Sequence, residues 1–433
     1  MLDIKIIREN PEVVKKAIED KNMNGVVDID RLLQVDVEYR NLLKKVEELR
    51  AIRNELSQDI SKVSGDAREK LITQASDTKE ELKGLEDKLL VLKNELDAMV
   101  MAVPNIPSAD VPVGRDESGN EILKHVGDIP KLDFEPKDHV ELGESLGIIS
   151  FEDGAKVSGS QFYFLYGAGV LMELALVQYA FEKLSKAGFT PTLTPDLAKS
   201  RYYLGTGYAP RGDEAQTYTI EGEDLGLIAT AEVTLAGKHA DEVLLLENLP
   251  LKYVGYSHCF RKEAGAYGKY SKGLYRVHQF TKVEMFIYCK PEESMQMHDY
   301  LLEMEESIYQ GLGISYRVLK QCTGDLGAMA ARKYDIEAWM PGRKDYGEVT
   351  STSNCTDYQA RNLNIKYKLD TGGTEYVHML NGTAVATSRT IIAILENYQQ
   401  ADGSVLIPEV LKPYMNGLEV IRPISLRDKP RPQ

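Results

Sequence analysis

Two runs of apolar residues at alternating three- and four-residue steps dominate the first hundred positions, with a break at Gly65-Asp66 between them. This heptad spacing places the apolar residues on one stripe of a helix, so the two runs predict an antiparallel coiled-coil hairpin over about 29–99. A pair of core helices in a bundle is the alternative, but the polar residues that fill nearly every other position favour a projecting arm. The stripe consists of Leu42, Val46, Leu49, Leu56, Ile60 and Val63, followed by Leu82, Leu85, Leu89, Leu92, Leu96 and Met99.

A proline-rich stretch, 104–115, ends this helical region. Its three prolines exclude a helix or a central strand, which indicates a linker. The chain has 433 residues, enough for two domains. We therefore predict an N-terminal domain over 1–103, which begins with a short helix around Pro11, and a second domain over 116–433.

The second domain alternates between helical and extended patterns. A strongly apolar helical pattern begins at Gly169 and ends at Gly188, and prolines keep the following segment, 189–197, extended. An amphipathic helix is predicted over 293–311. A further helix is expected after a turn at Gly382, and its apolar face carries Ile391, Ile392 and Leu395.

Residues 256–286 concentrate charge in a pattern of strand, loop and strand. Arg261 and Glu263 follow the first strand, and a basic loop with Gly265 and Gly268 leads to the second. Guanidinium groups suit phosphate or carboxylate, and a planar aromatic ring suits a nucleobase. A solvated surface hairpin is the alternative, which the density of charge beside glycine disfavours. Because alternate strand residues share a face, one face is predicted for Arg276, His278, Phe280, Lys282 and Glu284.

Composition and charge narrow the possible classes of protein. The chain is 43% hydrophobic and 27% charged, as in soluble globular proteins, and its formal charge of −15 argues against a protein coated in nucleic acid. A local basic surface remains compatible with that charge. The charged N-terminus and the lack of long apolar runs predict neither a secretory signal nor a membrane span, so we expect a cytoplasmic protein.

Other nucleotide and metal signatures are weak. No GxxxxGK[ST] sequence occurs, which excludes a P-loop, and Gly205-Thr206-Gly207 lacks the third glycine of a dinucleotide fingerprint. The four widely spaced cysteines predict neither a zinc site nor disulfides. His258 and His278 have no third ligand at a useful spacing, so a histidine metal cluster is not expected.

Residues 256–286 resemble motif 2 of class II aminoacyl-tRNA synthetases, in the form found in bacterial-type seryl-tRNA synthetases. The helix and strand over about 169–197 resemble motif 1, and residues 381–400 resemble motif 3. Thr230-Ala231-Glu232 resembles the TxE element of the family, and the sequence SNCTDYQARN is characteristic of it. The chain departs from the family at Thr234, which is more often proline, and at Thr350, which is commonly serine. We identify the sequence as a member of this family.

The resemblance implies an α+β fold, in which an antiparallel sheet is flanked by helices and an N-terminal antiparallel α-helical coiled-coil arm binds tRNA. It implies a homodimer formed through motif 1, with Pro195 near the partner's active site. The implied enzyme is a serine–tRNA ligase that uses ATP and Mg²⁺ to form seryl-adenylate and then transfers serine to the 3′ end of tRNA. The serine tRNA is the expected partner, with the selenocysteine tRNA as a second candidate, and neither membrane nor DNA is expected.

The resemblance also implies roles for single residues. Arg261 and Arg389 are the implied catalytic residues, and Glu348 and Ser351 the implied Mg²⁺ ligands. Arg261 would bridge the α-phosphate and the serine carboxylate. The implied serine-binding residues are Thr230, Ala231, Glu232 and Glu284, around the ammonium, and Thr383, at the hydroxyl. The implied ATP-binding residues are Arg261, Lys262, Glu263, Arg276, Val277, Phe280, Glu348, Val349, Thr350, Ser351 and Arg389.

Two other functions stay open on the sequence alone. One is an amino-acid ligase that loads a carrier protein, but relatives of that kind lack the arm. The other is an inactive paralogue that serves as a binding protein, but such a chain is expected to have lost motif arginines or acids, and all of them are present here.

Overall fold

The structure, a computed structural model, describes residues 1–208, 217–263 and 272–424. It divides into two compact units, Met1–Ile106 and Pro107–Gln433. Gly265 and Gly268 of the predicted basic loop lie outside the described residues.

The first unit is helical. The sequence predicted one short helix around Pro11, but two helices occur there. Pro11 begins the second helix, because the missing N–H group of proline is tolerated at the first helical position. Asp28 caps the next helix by accepting hydrogen bonds from two backbone N–H groups. The helices of this unit are α1 Ile4–Glu9, α2 Pro11–Asp20, α3 Ile29–Ile60 and α4 Asp66–Ala102.

The long helices α3 and α4 pack against each other along the predicted stripe. Val46, Leu82 and Leu96 are buried there, and ion pairs join the helices along the edge, with Arg50 Nη2 2.7 Å from Glu86 Oε1. The predicted antiparallel helical hairpin is therefore confirmed. The inclusion of Val63 in the stripe is wrong, because α3 ends at Ile60 and Val63 is exposed in the turn.

The second unit is built on one large sheet. Its helices are α5 His139–Ser145, α6 Phe151–Ser158, α7 Ala168–Lys186, α8 Ser200–Thr206, α9 Glu232–Gly237, α10 Ser294–Leu312, α11 Tyr358–Leu363 and α12 Thr387–Asn397. Its strands are β1 Glu121–Val126, β2 Ile149–Ser150, β3 Phe164–Leu165, β4 Thr190–Leu193, β5 Leu197–Ala198, β6 Gly226–Leu227, β7 Val243–Leu244, β8 Leu251–Phe260, β9 Gln279–Cys289, β10 Tyr316–Lys320, β11 Arg332–Met340, β12 Asp345–Asn354, β13 Lys366–Lys368, β14 Thr374–Tyr376, β15 His378–Ala386, β16 Val405–Leu406 and β17 Val420–Ile421.

The large sheet has the strand order β1-β10-β11-β12-β15-β9-β8-β4 in the described chain. Neighbouring strands are antiparallel except for β4, which pairs in parallel with β8 at the edge. The apolar core joins residues of this sheet to α7, α10 and α12. The predicted α+β class, with an antiparallel sheet flanked by helices, is confirmed.

Gly382 does not form the predicted turn, because it lies inside β15. A Cβ atom at this position would lie 2.9 Å from Glu305 Oε1 and 3.0 Å from Thr352 Oγ1. Glycine is therefore required by the close approach of α10 and β12 rather than by a turn.

No helix within the described ranges is both long enough and apolar enough to cross a membrane.

Candidate active site

The predicted hairpin forms the floor of a cavity of about 400 Å³. Strands β8 and β9 pair along their whole length, with Gly255 opposite Glu284. Most of the residues that the sequence selected line this one cavity, although they come from widely separated parts of the chain. They are Glu232, Arg261, Glu263, Arg276, Val277, Phe280, Glu284, Glu348, Val349, Thr350, Ser351, Thr383 and Arg389.

Strand alternation holds for only part of the predicted face. Phe280, Lys282 and Glu284 alternate along β9 and all line the cavity. Arg276 precedes the strand but still reaches the cavity. The expectation for His278 is wrong: its ring lies 5.1 Å from the ring of Phe162, and its Nδ1 lies 2.9 Å from the Arg261 carbonyl oxygen.

Three predicted site residues do not line the cavity. Thr230 is fully buried, and its hydroxyl accepts a hydrogen bond from the Glu232 backbone N–H at 3.2 Å. Ala231 is buried beside it at the start of α9. Lys262 turns away and holds its ammonium 5.7 Å from the ring centre of Tyr218.

The outer part of the cavity contains arginine–carboxylate pairs. Arg276 Nη2 lies 2.6 Å from Glu263 Oε2, and Arg389 Nη1 lies 2.9 Å from Glu348 Oε1. The guanidinium of Arg389 also stacks 4.8 Å from the ring centre of Tyr275. Each arginine is thus held in place by an acid. The family resemblance assigns all four of these residues to the binding of ATP.

Arg261 lies between the outer and inner parts. Its guanidinium is 5.2 Å from the ring centre of Phe280, and its Nε donates to the Ala229 carbonyl oxygen at 3.4 Å. The arrangement offers a cation and an aromatic surface side by side, which can bind a phosphate and a base together.

A β-bulge in β12 brings Glu348 and Ser351 to the same face. The pairing with β11 shifts at this point, so that Thr350 faces Ile336 whereas Glu348 faces Glu337. Without the bulge, residues three apart on a strand would point to opposite faces. The hydroxyl of Thr350 points to the other side and donates to Glu305 Oε2 at 3.0 Å.

The pair Glu348 and Ser351 fits a Mg²⁺ ion bound together with phosphates. Hard cations prefer oxygen ligands, and Mg²⁺ often takes only one or two from the protein. Burial alone would raise the pKa of Glu348, but the positive charges of Arg389, Lys333 and Arg261 lower it below its usual value. The carboxylate is therefore ionised at neutral pH. Ser351 lines the cavity together with Glu348, so its hydroxyl oxygen can serve as the second protein ligand.

The inner part of the cavity contains two buried carboxylates, Glu232 and Glu284. The side-chain amide of Asn381 donates to both, at 3.0 Å and 3.1 Å. Thr383 lies directly opposite Glu284 in the β9–β15 pair and donates its hydroxyl to Glu284 at 3.1 Å. A short polar side chain therefore stands beside a carboxylate, which suits a small hydroxyl-bearing ligand.

Gly255 allows α9 to approach the sheet at this point. A Cβ atom on Gly255 would lie 2.8 Å from Leu235 Cδ1 and 3.2 Å from Ala231 Cβ. A side chain there would require Leu235 and Ala231 to shift, and Glu232 stands at the first position of the same helix.

The sequence interpretation missed several residues that line the cavity or hold its acids. Asn381 and Gln359 lie within motifs that were recognised, so a signal existed, but no role was assigned. Tyr275 likewise lies within motif 2 without an assigned role, whereas Tyr208 and Lys333 line the cavity without any local sequence signal. Tyr208 and Gln359 donate to Glu232 at 2.8 Å and 2.7 Å.

Comparisons with known proteins agree with this geometry. The family model described as tRNA synthetase class II core domain (G, H, P, S and T) matches residues 217–398, and the Seryl-tRNA synthetase N-terminal domain matches residues 1–107. A serine–tRNA ligase of Dictyoglomus turgidum is 53% identical over 424 residues, which cover 98% of this chain and 100% of the relative.

Solved structures give the same result. Seryl-tRNA synthetase from Pyrococcus horikoshii, complexed with ATP, matches with a TM-score of 0.91 and 44% identity over 98% of this chain and 100% of its own. The cytoplasmic serine–tRNA ligase of Naegleria fowleri, in complex with AMP, matches with a TM-score of 0.84 and 36% identity over 98% and 99%.

The sheet, its three motifs and the shared cavity define a class II aminoacyl-tRNA synthetase core. Since the relatives match along the whole chain at about half identity, the chain belongs to the seryl-tRNA synthetase family.

Proposed function

We propose that this chain attaches L-serine to tRNA in two steps, forming seryl-adenylate and pyrophosphate from serine and ATP, and then passing the seryl group to the terminal ribose of tRNA. The observation that carries the proposal is the single cavity in which Arg261 and two arginine–carboxylate pairs adjoin the group Glu232, Glu284 and Thr383. One part suits a nucleotide with its phosphates, and the other suits a small hydroxy amino acid.

In the first step the serine carboxylate attacks the α-phosphorus of ATP. Arg261 holds both reacting groups, so that the attack occurs within one bound complex and the growing negative charge meets a fixed cation. Arg276 and Arg389 hold the outer phosphates, and Phe280 and Glu263 hold the adenine. No side chain forms a covalent bond to the substrate in this scheme.

Glu348 and Ser351 would hold Mg²⁺, which neutralises phosphate charge when it is bound. Both residues face the same side of β12, and Glu348 is ionised at neutral pH beside Arg389. Binding of ATP would draw Arg389 from Glu348 towards the phosphates.

In the second step the tRNA reaches the same cavity, while α3 and α4 bind it elsewhere. The support for this role is the match of residues 1–107 to the N-terminal domain of the family, and the exposed lysines and arginines along α3. Double-stranded RNA is recognised largely by its shape and phosphates, which suits such an exposed helical surface. The serine tRNA is the proposed partner, and the selenocysteine tRNA is a second one. We expect the reaction to take place in the cytoplasm.

We also infer a homodimer formed through α7 and β4. Leu193 is 78% exposed and Leu174 is 49% exposed, and both line one open apolar groove. Exposed apolar patches of this kind mark interaction surfaces. Sedimentation is expected to give a dimer for the chain and a monomer for Leu193→Glu, and a monomeric parent chain would contradict the inference.

The test of the function is pyrophosphate exchange with ATP in the presence of each amino acid, followed by charging of total tRNA. Exchange that depends on serine, together with serylated tRNA, supports the proposal. Serine-dependent exchange with transfer only to a carrier protein would favour an amino-acid ligase that loads such a protein. The absence of any exchange would favour an inactive synthetase paralogue that serves as a binding protein.

A further inference from the structure

The two buried carboxylates of the inner cavity have different partners. Glu284 Oε2 lies 2.6 Å from the ammonium of Lys282, and both side chains are almost fully buried. Lys282 Nζ also donates to Thr383 Oγ1 at 3.4 Å, and that hydroxyl donates to Glu284. Glu284 therefore already has a positive counter-ion from its own strand.

Glu232 is held by neutral donors only. Gln359 donates to its Oε1, and Tyr208 and Asn381 donate to its Oε2. Among the residues whose positions are described, no lysine, arginine or histidine forms an ion pair with Glu232, which is 1% exposed. A buried carboxylate without a cation is costly, so this acid is suited to a positive group brought by a ligand.

We propose that Lys282 is a positioning residue that sets the charge of the amino-acid subsite: it neutralises Glu284 and thereby reserves Glu232 for the ammonium of the substrate. The inference rests on the proposed function and refines it, since the family resemblance assigns Glu284 to the ammonium as well. Here Glu284, Lys282 and Thr383 form one hydrogen-bonded group that receives the substrate hydroxyl. Two carboxylates, one lysine and one substrate ammonium make the occupied subsite neutral.

The remaining charged groups around the subsite do not replace Lys282. Lys333 of β11 interacts electrostatically more strongly with Asp335 and Glu348 than with Glu232. Arg261 lines the cavity beside Phe280. Below the sheet, burial raises the pKa of Glu305 well above its usual range, which disfavours a negative charge at that position. Tyr208 is a neutral donor.

The charge balance gives serine binding a pH dependence of known sign. Burial, and then the negative charge of Glu284, raise the pKa of Glu232 to about 6. An ammonium binds to the ionised acid, so serine binding is complete above this pH and is lost as the pH falls through it. Without Lys282 the two acids repel each other more strongly, and the loss moves to higher pH.

The experiment measures KM for serine, KM for ATP and kcat in pyrophosphate exchange between about pH 5.5 and 8.5, a range that brackets this titration. For Lys282→Met we expect the KM for serine at neutral pH to rise about tenfold or more, its pH dependence to shift upward and the KM for ATP to stay nearly constant. Lys282→Arg should restore most of the affinity. Lys252→Met is the matched control, because Lys252 belongs to the same hairpin but donates to the Ala187 carbonyl outside the cavity.

A double variant separates charge from folding. Lys282→Met with Glu284→Gln removes the cation and its acid together, so the pH dependence of serine binding should return to that of the parent chain even if Lys282→Met alone does not fold. An unchanged serine KM and pH dependence in Lys282→Met would overturn the inference, as would a double variant that keeps the shifted profile. A parent chain without serine-dependent exchange would instead contradict the proposed function.

Discussion

The helix pair α3–α4 and the central strands of the large sheet bury their residues in opposite ways. Of the eleven residues of β9, all but Gln279 are buried. The 32 residues of α3 include only five that are buried, namely Ile29, Leu32, Val35, Asp36 and Val46. The strand is enclosed on both faces, whereas the helix pair keeps one narrow stripe and exposes the rest.

This difference agrees with the proposed division of functions, in which the sheet carries out the chemistry and the helix pair binds tRNA. Enclosure allows the sheet to hold charged groups such as Glu284 and Lys282 away from water, where electrostatic interactions are strong. Most charged side chains on α3 and α4 are exposed to water, so their interactions are screened and suit the binding of an extended charged partner. Four predictions test this division.

The largest expected effect concerns the amino acid itself. Because Thr383 and Glu284 form hydrogen bonds inside an enclosed subsite, an analogue without the hydroxyl leaves them unsatisfied, which typically costs about 10⁴–10⁵ in kcat/KM. We expect alanine to support pyrophosphate exchange at about this disadvantage relative to serine. Threonine, which keeps the hydroxyl, serves as the control and should be rejected less strongly. Alanine activity within tenfold of serine would show that the subsite does not bind the hydroxyl.

The second prediction compares one arginine from each region. Arg261→Ala should reduce the rate of exchange by about 10²–10³, because it removes a cation that acts in the transition state. Arg53→Ala on α3 is the matched control and should leave exchange unchanged. Near-normal exchange in Arg261→Ala would show that this residue does not act in the site. Reduced exchange in Arg53→Ala would contradict the separation of the helix pair from the chemistry.

The third prediction removes the helix pair. Replacing Val37–Met99 with a short flexible linker should leave serine-dependent exchange largely intact and reduce kcat/KM for tRNA by at least about tenfold, or about 1.4 kcal/mol of binding. The tRNA affinity of the whole chain should also fall with salt. Equal charging by the shortened and whole chains would mean that the helices do not bind tRNA. Loss of exchange in a folded, shortened protein would contradict the separation of functions.

The smallest effect concerns the edge of the helix pair. Arg50 and Glu86 form an ion pair in which both side chains are more than a third exposed, so Arg50→Ala should cost less than about 1 kcal/mol of local stability, and less still in high salt. Leu82→Ala, in the buried stripe, should cost about 2–5 kcal/mol. Hydrogen exchange of the α3 amides measures both. A larger cost for Arg50→Ala would show that charge, rather than the stripe, holds the helices together.

Local patterns determined the elements of this protein to a large extent. The heptad stripe of α3 and α4 depends only on residues three and four positions apart, and the apolar face of α12 with Arg389 in its first turn follows in the same way. Local patterns gave a wrong prediction where elements from distant parts of the chain pack against the residue. Gly382 suggested a turn but lies in a strand, where the close approach of α10 and β12 requires glycine.

The sequence by itself determined the helix pair, the hairpin and the identity of most residues that share the cavity, because heptad spacing, strand alternation and family motifs are properties of short segments. Only the tertiary structure decided how those residues are partnered. The bulge at β12 turns Glu348 and Ser351 to one face, Gly255 lets α9 bring Glu232 beside Glu284, and Lys282 neutralises one acid and leaves the other to neutral donors. Pairing of charges depends on distances between segments far apart in the chain, and those distances are fixed only when the sheet and its helices pack.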